Sequence, residues 1–137
     1  MAEFIMKSKV AEAGVSDSFY IESAATSMWE VGNDMYMPAR LALDKLGVPY
    51  TPRGARQITD EDYETFDFII GMDSSNISNL REFYGGDPDD KICRLLDFTD
   101  DPRDIADPYY TGNFSKAARD IEEGCGALLE TLLQSGA

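Results

Sequence analysis

The amino-acid sequence predicts an α/β domain in which a parallel sheet is covered by helices on both faces. Segments with helical periodicity alternate along the chain with short apolar runs bounded by turn-forming residues, an order typical of parallel sheets. Residues 66–73 form a run that is too short for a helix and is rich in Phe and Ile, so we expect a strand buried on both faces. At 137 residues the chain has the length of one domain.

The elements can be assigned in order from periodicity and helix ends. The predicted helices are residues 1–13, residues 38–46, a short turn from residue 59, residues 75–84 and a long helix from residue 114, and the predicted strands are residues 19–24, 66–73 and 91–96. Pro38 stands at a first helical position, and Gly14 and Gly47 stand just past helix ends. Asp73 is the predicted N-cap of the helix that follows the central strand. This turn lies at the carboxyl end of the strand, where ligands bind in open α/β sheets.

The last third of the chain combines a long loop with a strongly patterned helix. Residues 97–113 show no periodicity, and a loop of that length in a small domain is usually functional; the alternative is an acidic surface turn. In the helix that follows, the apolar residues keep to one face and are predicted to be core. They are Phe114, Ala117, Ala118, Ile121, Cys125, Leu128, Leu129 and Leu132.

The charge of the chain restricts its partners. The sequence has 26 acidic and 12 basic residues, a formal net charge of −14, which repels nucleic acid and anionic membranes. No run of about 18 apolar residues and no basic-then-apolar leader occurs, so we expect a cytoplasmic protein with neither a membrane nor a nucleic-acid partner.

The residue types also restrict the chemistry. The chain contains no histidine, which excludes His-based triads and His-metal sites within it. Cys93 and Cys125 lie far apart in apolar patterns, so we predict buried free thiols and no metal or other cofactor. Trp29, the single tryptophan, falls in the predicted loop 25–33, where it either covers the core or contacts a ligand.

Six short blocks carry a family resemblance along the whole chain. They are Met1-Ala2-Glu3-Phe4, residues 22–27, Trp29-Glu30-Val31-Gly32-Asn33, Ala55-Arg56-Gln57-Ile58-Thr59, Gly71-Met72-Asp73 with Ser75-Asn76, and Asp107-Pro108-Tyr109-Tyr110. In this order and at these intervals, they make the chain resemble the low-molecular-weight protein tyrosine phosphatases. The resemblance implies a three-layer α/β/α fold of the phosphotyrosine phosphatase I type, with strand order 2-1-3-4.

The resemblance also implies an activity, the hydrolysis of phosphotyrosine or aryl phosphate monoesters through a phosphocysteine. The family's nucleophile lies in a Cys-x5-Arg loop that directly precedes the segment matching Met1-Ala2-Glu3-Phe4. Six residues on from Cys93 stands Thr99, and six residues on from Cys125 stands Thr131. We therefore expect this chain to lack the first strand and the phosphate loop, and to be inactive by itself.

Three explanations of that absence stay open. Met1 is an internal methionine of a longer phosphatase, or the chain is a pseudophosphatase that acts as a binding or interaction module, or it has a sister activity such as thiol-dependent arsenate reduction. The DNA upstream of Met1 distinguishes the first two, because a longer enzyme would encode Cys-x5-Arg-Ser in frame.

The resemblance assigns roles to the residues that are present. Asp107 corresponds to the general acid, which protonates the tyrosyl leaving oxygen and then activates water. Tyr109 and Tyr110 correspond to an aromatic wall of the substrate pocket, with Trp29 opposite.

Two polar residues correspond to support positions beside the phosphate loop, namely Ser23 and Asn33. A basic residue of the loop after the second predicted helix, Arg53 or Arg56, also matches the family but has no assigned role.

The lost strand would be interior to the sheet, so its absence exposes two strand edges. The edges are closed either by direct pairing of residues 19–24 with the strand of residues 66–73, or by a segment from a second chain. We favour the second, and expect the chain to self-associate.

Overall fold

Helices dominate the computed structural model, which describes residues 1–25, 37–51 and 56–134. Along the chain the helices and strands are α1 (Ala2–Glu12), α2 (Met37–Leu46), α3 (Asp60–Thr65), β1 (Ile69–Gly71), α4 (Ser74–Tyr84), β2 (Ile92–Arg94), α5 (Pro108–Thr111) and α6 (Phe114–Gln134). Two short 3-10 turns, Ser16–Ser18 and Leu95–Phe98, follow α1 and β2.

Local capping explains where the helices begin and end. After α1, Gly14 adopts a φ of +73°, and the Val15 N–H donates to the Val10 carbonyl at 2.9 Å, which closes the helix end. The Asp73 carboxylate accepts the Asn76 N–H at 2.8 Å and caps α4. These predicted ends are confirmed.

Strands β1 and β2 form a parallel pair in the register Ile69↔Ile92, Ile70↔Cys93 and Gly71↔Arg94. Helix α4 packs closely on this pair because Gly71 has no side chain: a Cβ there would stand 2.7 Å from the Cβ of Asn76. The glycine thus brings the capped start of α4 against the carboxyl end of β1.

Both faces of the sheet are covered by helices. Ile70 packs against the cluster formed with α1, α2 and α6, whereas Ile69 packs with Tyr63 of α3 and Leu80 of α4. Because successive strand residues face opposite sides, β1 is covered on both faces, with Ile69 buried and Ile70 partly buried. The strand is shorter than the predicted run of residues 66–73, since only Ile69–Gly71 pair with β2. The three-layer α/β/α architecture is confirmed.

The strand predicted for residues 19–24 is wrong. This segment makes no ladder among the described residues; Ala25, just after it, forms a single parallel bridge with Gln57. Its side toward β1 borders a cavity, and a strand cannot form without a partner to pair with. Direct closure of the sheet by pairing of residues 19–24 with β1, one of the two alternatives, is therefore not observed.

The other differences concern element ends in the second half of the chain. The strand predicted to continue to residue 96 ends at Arg94, whose N–H donates to the Asp97 carboxylate at 3.0 Å as the 3-10 turn begins. The loop 97–113 contains helix α5.

The predicted apolar stripe of α6 is confirmed. All of its residues are buried except Leu132, which is partly buried and packs against the same core. No helix in the described parts of the chain is long and apolar enough to span a bilayer.

Candidate active site

A cavity of about 530 Å³ lies between the segment of residues 22–25 and the side of β1 that faces away from β2. The first turn of α1 lines it, and so do residues 105–108, which follow the 3-10 turn. We call it the central cavity. Because β1 ends here and α1 begins here, it occupies the edge of the sheet where α/β proteins bind ligands.

Apolar side chains cover the central cavity from both layers. Ile105 and the α6 residues Ala117 and Ile121 line it from one side, and Ile58 and Leu80 line it from the other. All five are buried. The cavity is therefore apolar inside, and its polar groups belong to a few placed side chains.

One side of the cavity is a backbone edge. The Ile69 N–H donates to the Lys91 carbonyl at 2.9 Å, so alternation along the strand directs the backbone groups of Ile70 away from β2 and toward the cavity. Two residues on, Met72 has both backbone groups bonded, its N–H to the Asn76 Oδ1 and its carbonyl to the Ile105 N–H, each at 2.9 Å. Among the described residues, the edge is thus closed at Met72, and no backbone hydrogen bond closes it at Ile70.

A buried carboxylate on α1 bonds this helix to the segment of residues 22–25. Glu3 is only 5% exposed. Its Oε1 accepts the Ser23 N–H at 3.0 Å and the Ser23 Oγ–H at 2.7 Å, and its Oε2 accepts a proton from Lys7 Nζ at 2.7 Å. These bonds fix Ser23 at the start of α1.

A second ionic group closes the outer end of the cavity. Arg56 donates to both carboxylate oxygens of Asp62, at 2.9 and 3.1 Å, and to Glu22 Oε2 at 3.1 Å. The guanidinium holds the pKa of the Asp62 carboxyl below its ordinary value, and Asp62 in turn raises the pKa of Arg56. The bidentate geometry makes this a directed ion pair.

The loop that carries Asp107 is fastened just before it. Asp104 Oδ1 accepts hydrogen bonds from the Ser74 N–H and Oγ–H, both at 2.9 Å, and from Arg94 Nη1 at 3.0 Å. The bond from Arg94 is the main cause of the lowered pKa of Asp104. Asp107 lines the cavity, and its carbonyl accepts the N–H groups of Tyr110 and Thr111 as α5 begins. The carboxyl-bearing loop is therefore held at both ends.

The structure brings two of the predicted site residues together. Asp107 and Ser23 both line the central cavity. Tyr110 is 91% exposed and is not among the lining residues. Trp29, Asn33, Arg53 and the side chain of Tyr109 lie outside the described part of the structure, so their roles stay predictions.

Glu3 was missed by sequence reasoning, although it left a signal. It is an acid in the first turn of a helix whose neighbours Phe4, Ile5 and Met6 are all buried, and a buried acid needs partners. An acid at such a buried position is expected to bond to a neighbouring segment.

Neither cysteine has the properties of a nucleophile. Burial raises the pKa of the Cys93 thiol to about 11 and that of the Cys125 thiol to about 12, and both are free. At neutral pH both are thiols, whereas nucleophilic attack needs the thiolate. Neither is among the residues that line the central cavity.

Comparison with known proteins gives a consistent result over the whole chain. A family model described as low molecular weight phosphotyrosine protein phosphatase matches residues 1–136. The low molecular weight protein-tyrosine-phosphatase YfkJ of Bacillus subtilis is 36% identical over 134 residues, which cover 96% of this chain and 86% of that protein. The human low molecular weight phosphotyrosine protein phosphatase is 33% identical over 138 residues, covering 95% and 85%.

Solved structures show the same similarity in the fold. The crystal structure of YfkJ matches with a TM-score of 0.94 at 34% identity, covering 99% of this chain and 87% of that one. The low molecular weight protein tyrosine phosphatase of Streptococcus pyogenes matches with a TM-score of 0.84 at 38% identity, covering 96% and 82%.

Proposed function

We propose that this chain, which belongs to the low molecular weight phosphotyrosine protein phosphatase family, contributes the scaffold and the general acid for hydrolysis of phosphotyrosine or aryl phosphate monoesters. The observation that carries the proposal is the position of Asp107. It lines the central cavity beside the first turn of α1, on a loop fastened by Asp104. An acid held at the N-terminal end of a helix is suitably placed to protonate a group leaving a bound phosphate.

In the proposed mechanism the nucleophile comes from a Cys-x5-Arg segment outside these 137 residues. Its thiolate displaces the aryloxide from phosphorus while Asp107 donates a proton to the leaving oxygen. The Asp107 carboxylate then takes a proton from a water molecule as its oxygen bonds to phosphorus; the P–S bond breaks, which releases inorganic phosphate and restores the thiolate. Trp29, Tyr109 and Tyr110 are proposed to contact the aromatic ring of the substrate, and Ser23 and Asn33 to support the phosphate loop.

The 137 residues alone are proposed to be inactive, because they contain no Cys-x5-Arg sequence and because the pKa values of both thiols are raised. The same observations favour a second candidate, a pseudophosphatase that acts as a binding or interaction module. We place either form in the cytoplasm, and propose that the chain associates with itself through the open edges beside the central cavity.

Two protein forms test the proposal. The 137-residue chain should give no vanadate-sensitive turnover of para-nitrophenyl phosphate, whereas a form extended before Met1 by an apolar strand and a Cys-x5-Arg loop should hydrolyse it. Vanadate-sensitive hydrolysis by the pure 137-residue chain would contradict the assignment of the nucleophile. An extended form that folds, binds phosphate and does not turn over would favour the pseudophosphatase.

Within the active extended form, Asp107→Asn should lower kcat about 10²- to 10⁴-fold, the usual contribution of a positioned acid. Asp101→Asn on the same loop, at an exposed aspartate, is the control and should change kcat little. An unchanged kcat in Asp107→Asn would move the acid to another residue. Trp29→Ala should chiefly weaken the binding of aryl substrates.

A further inference from the structure

The segment of residues 104–107, which we call the acid loop, is attached to the turn between β1 and α4. Asp104 Oδ1 accepts hydrogen bonds from the N–H and the hydroxyl of Ser74, both at 2.9 Å. The next residue, Ile105, donates its N–H to the Met72 carbonyl at 2.9 Å. Met72 directly follows β1 and Ser74 is the first residue of α4. Two consecutive residues of the acid loop are therefore bonded to one short turn.

That turn is itself held by side-chain bonds. The Asp73 carboxylate accepts the Asn76 N–H at 2.8 Å, and the Asn76 Oδ1 accepts the Met72 N–H at 2.9 Å. The close approach of Asn76 to Gly71 leaves no room for even a Cβ at the glycine. The turn is thus a fixed support, of the kind that a precisely placed functional group needs.

A third bond joins the acid loop to the other strand. Arg94, the last residue of β2, donates from Nη1 to Asp104 Oδ1 at 3.0 Å. A hydrogen bond between ionised groups is about twice as strong as one between neutral groups. The Asp104 side chain is 46% exposed, so it fills no space in the core. A substitution at Asp104 therefore removes bonds from the acid loop without leaving a cavity.

Asp107 stands three residues beyond these bonds. Three residues span at most about 11 Å, so a displacement at the start of the acid loop is passed on to its end. A misplacement of about 1 Å at a reacting group can lower a rate about 10²-fold. We infer that Asp104 is a positioning residue, which through Ser74 and Arg94 holds Asp107 where it can protonate the leaving group. This inference rests on the proposed function, in which Asp107 is the general acid.

The dependence of the rate on the leaving group tests the inference in the active extended form. Phenyl phosphate releases a phenol with a pKa of about 10, like that of tyrosine, and needs a proton from the acid, whereas 2,4-dinitrophenyl phosphate releases a stable anion. Asp104→Ala should lower kcat/KM about 10- to 100-fold for the first substrate and less than about threefold for the second. Equal losses for both substrates, or no loss, would overturn the inference.

Asp97→Ala is the matched control. Asp97 also accepts a backbone N–H, that of Arg94 at 3.0 Å, and pairs with the same guanidinium at 2.8 Å. Its side chain is 37% exposed, but these bonds hold no part of the acid loop. The variant should change kcat/KM less than about threefold for both substrates. A leaving-group dependence equal to that of Asp104→Ala would assign the effect to Arg94 and contradict the role of Asp104.

Asp107→Asn separates this inference from the proposed function. It should show the same leaving-group dependence, and adding Asp104→Ala to it should cost less than about threefold more, because the two changes remove one interaction. If Asp107→Asn shows no such dependence, the proposed function fails. If Asp107→Asn shows it and Asp104→Ala does not, the positioning role alone fails.

Hydrogen exchange in the 137-residue chain gives a readout without turnover. Asp104→Ala should speed exchange of the Ile105 N–H at least about tenfold, because the acid loop then opens more often from the turn. Exchange of the Ile5 N–H, which bonds to the Met1 carbonyl in α1, should stay the same and serves as the control. An unchanged rate at Ile105 would mean that the loop is held without Asp104, and would overturn the inference.

Discussion

Glu3 shows how one buried charge joins two segments that are distant in sequence. Its carboxylate accepts two bonds from Ser23 and one from Lys7, so the cost of burying it is offset by charge-assisted hydrogen bonds. Ser23 itself does not belong to a strand of the described structure. The segment of residues 22–25 is therefore positioned by α1 on one side and by the Ala25–Gln57 bridge on the other.

Replacing this carboxylate should destabilise the protein. Glu3→Ala leaves the Ser23 N–H and hydroxyl without their acceptor, and a hydrogen bond to a charged group contributes about 1.5–3 kcal/mol, so we expect a loss of that order in the free energy of unfolding. Glu12→Ala, at an exposed position of the same helix, should change stability by less than about 0.5 kcal/mol. Urea unfolding measures both, and equal effects would show that Glu3 contributes no more than a surface acid.

The Arg56–Asp62 pair should be visible in the pH dependence of stability. Arg56 lowers the pKa of Asp62 below its ordinary value of 3.8, so the pair's stabilisation is complete above about pH 4 and is lost as the pH falls through the folded-state pKa. Wild type should therefore be more stable than Asp62→Asn by about 1 kcal/mol at pH 6, and the difference in the free energy of unfolding should be smaller at pH 2.

Urea unfolding at the two pH values measures that difference. Glu64→Gln, at an exposed position of the same helix α3, is the control and should not reproduce it. A difference that persists undiminished at pH 2 would assign the effect to packing at Asp62 and not to its charge.

At the scale of elements, α6 is held against the 3-10 turn by a glycine. A Cβ at Gly124 would lie 2.5 Å from the Leu95 Cγ and 3.2 Å from the Leu96 Cδ2, whereas a Cβ at Gly126, two residues on, has its nearest neighbour at 4.0 Å. Leu95 and Leu96 are 2% and 0% exposed, so they have no free space to move into. The two glycines therefore differ in the space available for a side chain.

Alanine at these two positions should therefore have opposite effects. Gly124→Ala should destabilise by about 1–3 kcal/mol, because overpacking forces the helix away from the turn. Gly126→Ala should stabilise by about 0.5–1 kcal/mol through the lower entropy of the unfolded chain. Thermal and urea unfolding compare the pair, and a Gly124→Ala variant as stable as Gly126→Ala would contradict the close packing of α6 on Leu95.

These elements also show what the sequence could and could not predict. Helix ends were predictable because caps are local: Asp73 and Gly14 each act within a few residues of their own position. Strand extents were not, because a ladder depends on a distant partner. Residues 19–24 have strand composition but form no ladder in the part of the chain that the structure describes. Leu95 and Leu96 enter a turn once β1 ends at Gly71.

The candidate site was predictable to a similar degree. Asp107 and Ser23 were found through the family resemblance, and the structure places both on the central cavity. Glu3 was not, since its importance comes from a contact twenty residues along the chain. The clamp from Asp104 to Ser74 and Arg94 joins three separate segments, and no pattern within any one of them indicates it.

At the scale of the whole molecule, open edges and net charge oppose each other. The free side of β1 and the apolar cavity beside it favour pairing with another chain, as unprotected strand edges do. A net charge of −14 on 137 residues favours separation at low ionic strength, because like-charged molecules repel over a distance set by the salt concentration. The balance between the two should therefore depend on salt.

Self-association should accordingly appear as a salt-dependent equilibrium. We expect light scattering to show a dimer or larger species of the 137-residue chain at micromolar concentration, with the average mass rising from 20 mM to about 300 mM salt as repulsion is screened. A form with a strand restored beside β1 should stay nearer the monomer.

A charged residue beside β1 tests which surface drives association. Phe68→Lys adds a charge next to the edge of β1, a device that natural sheets use against pairing, and should lower the average mass. Phe83→Lys is the matched control, since Phe83 is 39% exposed and Phe68 41%, but Phe83 lies on α4 and is not among the residues that line the cavity. A strictly monomeric chain at every salt concentration, or an equal effect of the two lysines, would show that the edge of β1 does not drive association.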